Sequence, residues 1–90
     1  MLRRVVITGL GAVSPNGIGQ KEFWENTCNG ISGVDRITSF DPVDLSCQIA
    51  GEVTNFDPSL YYSAADLKKL PRTVPLAVAA TQEALANSGI

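Results

Sequence analysis

From Leu76 to Leu85 the chain reads Leu-Ala-Val-Ala-Ala-Thr-Gln-Glu-Ala-Leu. These are strong helix formers, and the segment is apolar on nearly every face. A helix of that kind needs neighbours on more than one side. Thr73 reads as its cap, Pro75 falls in the first turn where a missing N–H costs little, and Gly89 is a natural stop. The sequence therefore predicts a helix from Thr73 to Ser88. Only 90 residues are available to cover it, and a chain of that length hides only about 60–65% of its extended surface. No other segment is large enough for the task. Ile90 also falls where a following strand is expected to begin. Both features create the expectation of one incomplete α/β unit, marginally stable alone and prone to associate.

The other elements are shorter. Arg3 to Gly9 is β-branched and continuously apolar at Val5-Val6-Ile7, which reads as a strand buried on both faces, as in a parallel sheet. Gly9, Gly11, Pro15, Gly17 and Gly19 mark a long turn. Gln20 to Asn29 reads as a helix with Phe23, Trp24, Thr27 and Cys28 on one face, stopped by Asn29-Gly30. Residues 30–45 read as an irregular connection with weak extended structure near Ile37. Cys47 to Val53 alternates as a second strand, with Gly51 as a bulge or close-approach point. Ala64 to Leu70 reads as a short helical turn.

Composition removes several function classes. The chain has no histidine, so neither a Ser-His-Asp triad, a Cys-His pair nor a His-ligated metal site can be completed from it. Its formal net charge is −2, which leaves no electrostatic footprint for nucleic acid. The apolar run after Arg4 is too short for a signal peptide, and no run approaches a membrane span. Two cysteines, Cys28 and Cys47, are too few for a disulfide scaffold and fit a reducing compartment. Each falls on an apolar face, so both are expected to be buried, unpaired and inert.

Two motifs invite functional readings. Gly9-Leu10-Gly11-Ala12-Val13-Ser14 follows a strand-like run, as a dinucleotide fingerprint does. That fingerprint needs a third glycine or alanine where the helix packs on the strand. Ser14 followed by Pro15 stands there instead, and Asp35 lies in a glycine-flanked loop, so the glycines read as a packed turn. Lys68-Lys69 with Arg72 forms a basic cluster in an acidic chain. It reads either as solvated surface or as a docking patch for an acidic partner or a phosphate. Glu52, Asp57 and Asp66 have no partner carboxylate at catalytic spacing.

The ordered set of short motifs resembles β-ketoacyl-acyl-carrier-protein synthases, over essentially the whole chain. Arg3-Arg4-Val5-Val6-Ile7-Thr8-Gly9-Leu10-Gly11 and Ser14-Pro15-Asn16-Gly17 resemble the family's amino-terminal opening. Trp24, Gly30-Ile31-Ser32-Gly33-Val34 and Phe40-Asp41 follow in order. Ala50-Gly51-Glu52-Val53, Phe56-Asp57-Pro58, Lys68-Lys69, Ala79-Ala80, Ala84-Leu85 and Ser88-Gly89 complete the series.

The resemblance implies an α/β, partial thiolase-like fold: the β-α-β-α amino-terminal part of one half, incomplete without later strands. Residues 1–90 would be an amino-terminal fragment of a β-ketoacyl synthase N-terminal domain. It implies an acyltransferase of fatty-acid or polyketide synthesis, needing no cofactor or metal, cytoplasmic, homodimeric when complete, and partnered by acyl carrier protein. In such enzymes a cysteine at a helix N-terminus takes the acyl group, and two histidines assist decarboxylation of the malonyl carrier thioester. Those residues lie beyond position 90, and neither Cys28 nor Cys47 sits in the nucleophile's motif, so no catalytic residue is assigned and the chain alone is expected to be inactive. Lys68 and Lys69 match a basic stretch that helps dock the carrier protein. Pro71-Arg72-Thr73 departs from the acidic-aromatic run often found just after it. Three other readings stay open: a non-catalytic relative resembling a chain-length factor, a small dinucleotide-binding domain, and an interaction or folding unit only.

Overall fold

The structure is a computed structural model that describes residues 2–90. Two short antiparallel ladders and three helices follow one another: β1 (Val13–Ser14), β2 (Gly17–Ile18), α1 (Gln20–Cys28), β3 (Val34–Arg36), β4 (Ile49–Gly51), α2 (Ala64–Leu67) and α3 (Thr73–Ser88). A 3-10 turn at Pro58–Leu60 lies between β4 and α2.

The expected strand at Val5–Ile7 does not form. Residues 2–12 carry no ladder, and Val5, Val6 and Ile7 are 94%, 62% and 82% exposed. A strand exists only by pairing, and nothing within the described residues pairs with this one. The β-α-β-α order is corrected accordingly. The strands present form two separate pairs, β1 with β2 and β3 with β4, both antiparallel.

The glycine-rich turn contains the first pair. Pro15-Asn16 is a two-residue hairpin loop, with Val13 opposite Ile18 and Ser14 opposite Gly17. Ser14 Oγ donates to Asn16 Oδ1 at 2.8 Å or to the Gly17 carbonyl at 3.0 Å, closing the turn. Asn26 of α1 donates to the Asn16 carbonyl, which seats the helix on the hairpin. Helix α1 ends on a left-handed Gly30, with φ 68°. Ile31 N donates to the Asn26 carbonyl at 2.8 Å and Gly30 N to that of Thr27 at 3.2 Å. This is the double bond pattern of a Schellman stop, which favours glycine because its positive φ is strained for any residue with a Cβ.

The second pair lies partly in the stretch expected to be irregular. Val34, Asp35 and Arg36 face Gly51, Ala50 and Ile49, and Ile37 N extends the ladder to the Gln48 carbonyl at 2.9 Å. The Cys47–Val53 strand is therefore shortened to three residues. Gly51 does mark a close approach: a Cβ there would lie 3.0 Å from the Pro15 side chain.

Helix α3 has the bounds its sequence predicts. Its start differs in detail. Arg72 is the N-cap, Thr73 is already helical, and no side chain caps this end. Pro75 and Ala79, one turn apart on the same face, are both buried. Segment 9–12 crosses a different stripe of the helix, at Ala80 and Ala84, at backbone distance. A Cβ built on Gly11 would collide with the Ala80 carbonyl, and one on Gly9 with that of Ala84.

The core is minimal. Ala79, 5% exposed, is the one buried non-proline apolar side chain among the described residues. Trp24 is 64% exposed, while its neighbour Phe23 is half-buried, so the aromatic face of α1 is only partly covered. Cys28 and Cys47 are also exposed, against the expectation of burial, though both are free thiols. The reason is shared: alternation and helical spacing identify which face is apolar, whereas burial needs a second surface that these residues do not supply.

Candidate functional site

The basic stretch follows two capped turns. Asp57 accepts from Ser59 N at 3.0 Å and from Ser59 Oγ at 2.6 Å, fixing the start of the 3-10 turn. These bonds, the side-chain one first, hold the Asp57 carboxyl below its ordinary value. Ser63 Oγ accepts from Asp66 N at 3.3 Å and donates to Asp66 Oδ2 at 2.9 Å, capping α2. Phe56 stacks on Tyr61 at a centroid separation of 5.8 Å.

Lys68 is the C-cap of α2, and Lys69 follows in a turn closed by its own N–H on the Asp66 carbonyl at 3.0 Å. Both lysines are exposed. Among the described residues neither side chain meets a hydrogen-bond or ion-pair partner. The one ion pair there joins Arg36 to Asp41 at 3.8 Å. Arg72 separates from the cluster: Nη2 donates to the Val53 carbonyl at 2.6 Å. Within this cluster the free cations are thus Lys68 and Lys69, and Arg72 ties the start of α3 to the end of the β3–β4 unit. Beside them Phe56, Pro58, Leu67, Leu70, Arg72 and Pro75 line an apolar notch of about 160 Å3.

The glycine motif has another use. Gly9 and Gly11 lie against α3 with no room for a side chain, and the amides that a phosphate would need are already engaged. Ala12 N donates to Glu83 Oε1 at 2.9 Å, and Gln20 N reaches Oε1 and Oε2 at 3.1 and 3.0 Å. A carboxylate of α3 occupies the N-terminal end of α1, where an anion is favoured. This agrees with the packed-turn reading and removes the geometry for a dinucleotide. Asp35, expected in a glycine-flanked loop, lies instead on β3 and is exposed.

Glu83 was invisible to motif reading, yet it leaves a signal: it is the sole charged residue among the 16 of α3. Glu52 is a second carboxylate with a structural use. It accepts from Thr38 N at 2.8 Å, Thr38 Oγ1 at 3.0 Å and Ser39 N at 3.1 Å, and also from Ser39 Oγ. Led by the Ser39 hydroxyl, these donors lower its pKa from 4.5 to about 2. Among the described residues no group of three or more metal-ligating side chains assembles. No helix there is long and apolar enough to cross a membrane. The two exposed lysines stand in sequence between Leu67 and Leu70, both of which line the notch.

Comparison with known proteins adds to this geometry. The family described as beta-ketoacyl synthase, N-terminal domain, matches residues 2–90. A 3-oxoacyl-[acyl-carrier-protein] synthase 2 from Synechocystis is 37% identical over 83 residues, covering 92% of this chain and 20% of its own length. A putative polyketide beta-ketoacyl synthase 1 from Streptomyces halstedii is 42% identical over 91 residues, covering 100% of this chain and 21% of its own. The tetracenomycin polyketide synthase ketoacyl synthase beta subunit of Streptomyces glaucescens is 41% identical over 86 residues, covering 96% and 21%. Among solved structures, the ishigamide ketosynthase/chain length factor superposes with a TM-score of 0.84 at 35% identity, over 98% of this chain and 22% of that one. The chain spans about a fifth of the length of these relatives.

Proposed function

This chain belongs to the β-ketoacyl synthase family, and from that membership we propose that residues 1–90 are an amino-terminal fragment of a synthase N-terminal domain. The observation that carries the proposal is the match over residues 2–90, supported by the TM-score of 0.84. The whole protein is read as a cytoplasmic acyltransferase of fatty-acid or polyketide synthesis, homodimeric, condensing acyl and malonyl thioesters of acyl carrier protein with loss of carbon dioxide. This segment contributes scaffold and docking surface to it. The nucleophile and its helpers are sought outside the segment, because it has no histidine and its two cysteines lie in other motifs.

Lys68 and Lys69 are proposed to meet the acidic carrier protein. Exposure without a side-chain partner supports this, since a free rim cation steers association. Incubating the full-length protein with acyl- and malonyl-carrier thioesters tests the activity: a β-ketoacyl product is expected, and its absence overturns the catalytic reading. Reversing both lysines to glutamate is expected to weaken carrier binding, most at low salt. Unchanged carrier affinity overturns the docking role. A second reading is a non-catalytic subunit resembling a chain-length factor, since the structural relative's name joins a ketosynthase with a chain length factor. In that case the full-length protein forms product only when a separate ketosynthase subunit is added.

A further inference from the structure

The tripeptide Asn-Gly-Ile occurs twice, at Asn16-Gly17-Ile18 and at Asn29-Gly30-Ile31, and the fold treats the two copies oppositely. We propose that Asn29 is a site of spontaneous deamidation, and that the fold shields Asn16 from the same reaction. In this chemistry the backbone nitrogen of the following residue attacks the asparagine Cγ. A C–N bond forms, the side-chain amide leaves as ammonia, and a five-membered succinimide results. The amide proton of the attacking nitrogen passes through solvent to the leaving nitrogen. Water then opens the ring at either carbonyl, giving aspartate or isoaspartate. One water is consumed and one ammonia released, with no change of oxidation state. Glycine is the most permissive residue on the attacking side, because it has no Cβ to obstruct a close approach of its backbone.

Asn16 is held on both sides of the reaction. Its Oδ1 is an acceptor for Ser14 Oγ at 2.8 Å, its Nδ2 donates to Thr27 Oγ1 at 3.3 Å, and its backbone carbonyl accepts from Asn26 Nδ2. Gly17 is buried and paired with Ser14 in the β1–β2 ladder. It is also wedged against α1: a Cβ built on it would lie 2.5 Å from Phe23 N. Its nitrogen cannot swing toward Cγ without parting the hairpin from α1. Asn29 has none of these restraints. It and Gly30 are both exposed, and among the described residues the Asn29 side chain makes no hydrogen bond. Nothing lies within 4 Å of the place a Gly30 Cβ would take. One bond restrains the attacking nitrogen, from Gly30 N to the Thr27 carbonyl at 3.2 Å. That bond closes the end of a helix of 9 residues, none of them buried, and such ends open at little free-energy cost.

The product acts back on the helix. Deamidation puts a carboxylate at the C-cap of α1, where the helix dipole disfavours an anion and the last turn holds no basic residue. The new charge stands one turn after Glu25, a like-charge spacing that is unfavourable on a helix. The isoaspartyl form also adds a backbone carbon between residues 29 and 30. The two bonds that span this link, from Ile31 N to the Asn26 carbonyl and from Gly30 N to that of Thr27, then lose the register that the stop requires. Modification therefore loosens the end of α1 and the segment that leads from it into β3.

The test ages the native full-length protein in mildly alkaline buffer and maps its tryptic peptides by mass spectrometry, with isoaspartyl methyltransferase labelling to count the isomer. Cleavage after Lys21 puts the two sites on separate peptides. Asn29 is expected to react at least about tenfold faster than Asn16, because a fraying helix end opens far more often than a packed hairpin. In urea the two are expected to react at similar rates, since the tripeptide is the same. Asn29→Asp, which carries the charge of the product, is expected to speed amide hydrogen exchange at Gly30 and Ile31, whereas Asn29→Gln stays near wild type. Equal native rates at the two sites overturn the proposal. So does a native Asn29 that stays intact while the denatured one reacts. Unchanged exchange in the Asn29→Asp protein overturns the effect on α1 and leaves the modification site standing.

Discussion

The backbone N–H of Gln20 donates to both carboxylate oxygens of Glu83, at 3.1 and 3.0 Å, across 63 residues of sequence. Gln20 is the first residue of α1, whose own cap residue Gly19 has no side chain to offer. The cap is therefore supplied by another helix, and the same carboxylate also takes the Ala12 N–H. One side chain fixes the glycine segment, the start of α1 and the middle of α3 together.

Glu83→Ala is expected to destabilise the intact protein by about 1–3 kcal/mol, the cost of leaving part-buried backbone donors unsatisfied plus a lost helix cap. Glu83→Gln retains one acceptor oxygen and is expected to recover part of that loss. Urea unfolding of the three proteins provides the comparison. Equal midpoints for wild type and Glu83→Ala would show that the bonds contribute nothing.

Gly11 and Gly30 separate two reasons for having glycine. At Gly11 the obstacle is the Ala80 carbonyl of α3, whereas at Gly30 nothing lies within 4 Å and only the positive φ objects. Gly30→Ala is expected to cost about 1–2 kcal/mol, the ordinary penalty for a Cβ in the left-handed region. Gly11→Ala must push the segment off α3 and is expected to cost about 3 kcal/mol or more, at the upper end of overpacking losses. Thermal unfolding of both variants of the intact protein reads the order, and a larger loss at Gly30 contradicts this packing.

The acid response of the β3–β4 unit follows from Glu52. Its pKa is lowered to about 2 in the fold from 4.5, so the folded state favours the charged form. The resulting stability is fully present above about 4.5 and is lost as pH falls toward about 2. Ser39→Ala, which removes the leading donor, is expected to move the Glu52 titration upward, and carbon-detected NMR of that carboxyl can follow it. The stability gap between wild type and Glu52→Gln is expected to be widest near neutral pH and to close through that acid window. A pH-independent gap would show that the hydroxyls, not the charge, hold the turn.

How far the sequence discloses this molecule depends on whether a feature is local. Helix α3 is legible to the residue because Pro75 at its start and Gly89 at its end act within one turn. The stop of α1 at Asn29-Gly30 is legible for the same reason. The exposure of Lys68 and Lys69 follows from charge. Val5–Ile7 is different: its composition marks a strand, but its ladder depends on a partner that these residues lack. Cys28 and Cys47 lie on apolar faces with nothing laid over them. The Glu83 clamp is not legible because a lone carboxylate on an apolar helix reads as a solvent-facing position, and only the fold brings the glycine segment across it. The diversion of Arg72 to the Val53 carbonyl is equally non-local.

The last expectation concerns the 90 residues by themselves. A compact chain of this length has a radius of gyration of about 12 Å, whereas this one has 16.4 Å, with axes of 60, 37 and 23 Å. Its accessible surface is 7050 Å2, against about 5,000 Å2 for a globular monomer of this mass. The excess is apolar in character: Val5, Ile7, Leu10, Trp24 and Leu85 are all more than half exposed. Uncovered apolar surface of this extent promotes association, and two-stranded sheets are marginal alone. The isolated chain is therefore expected to self-associate at micromolar concentration and to unfold without a sharp transition, while the full-length protein unfolds cooperatively. Light scattering behind size exclusion, together with calorimetry, reads both properties. A monomer with a cooperative transition above about 60 °C, toward the top of the mesophilic range, would mean that the exposed strand and helix faces find cover within these 90 residues after all.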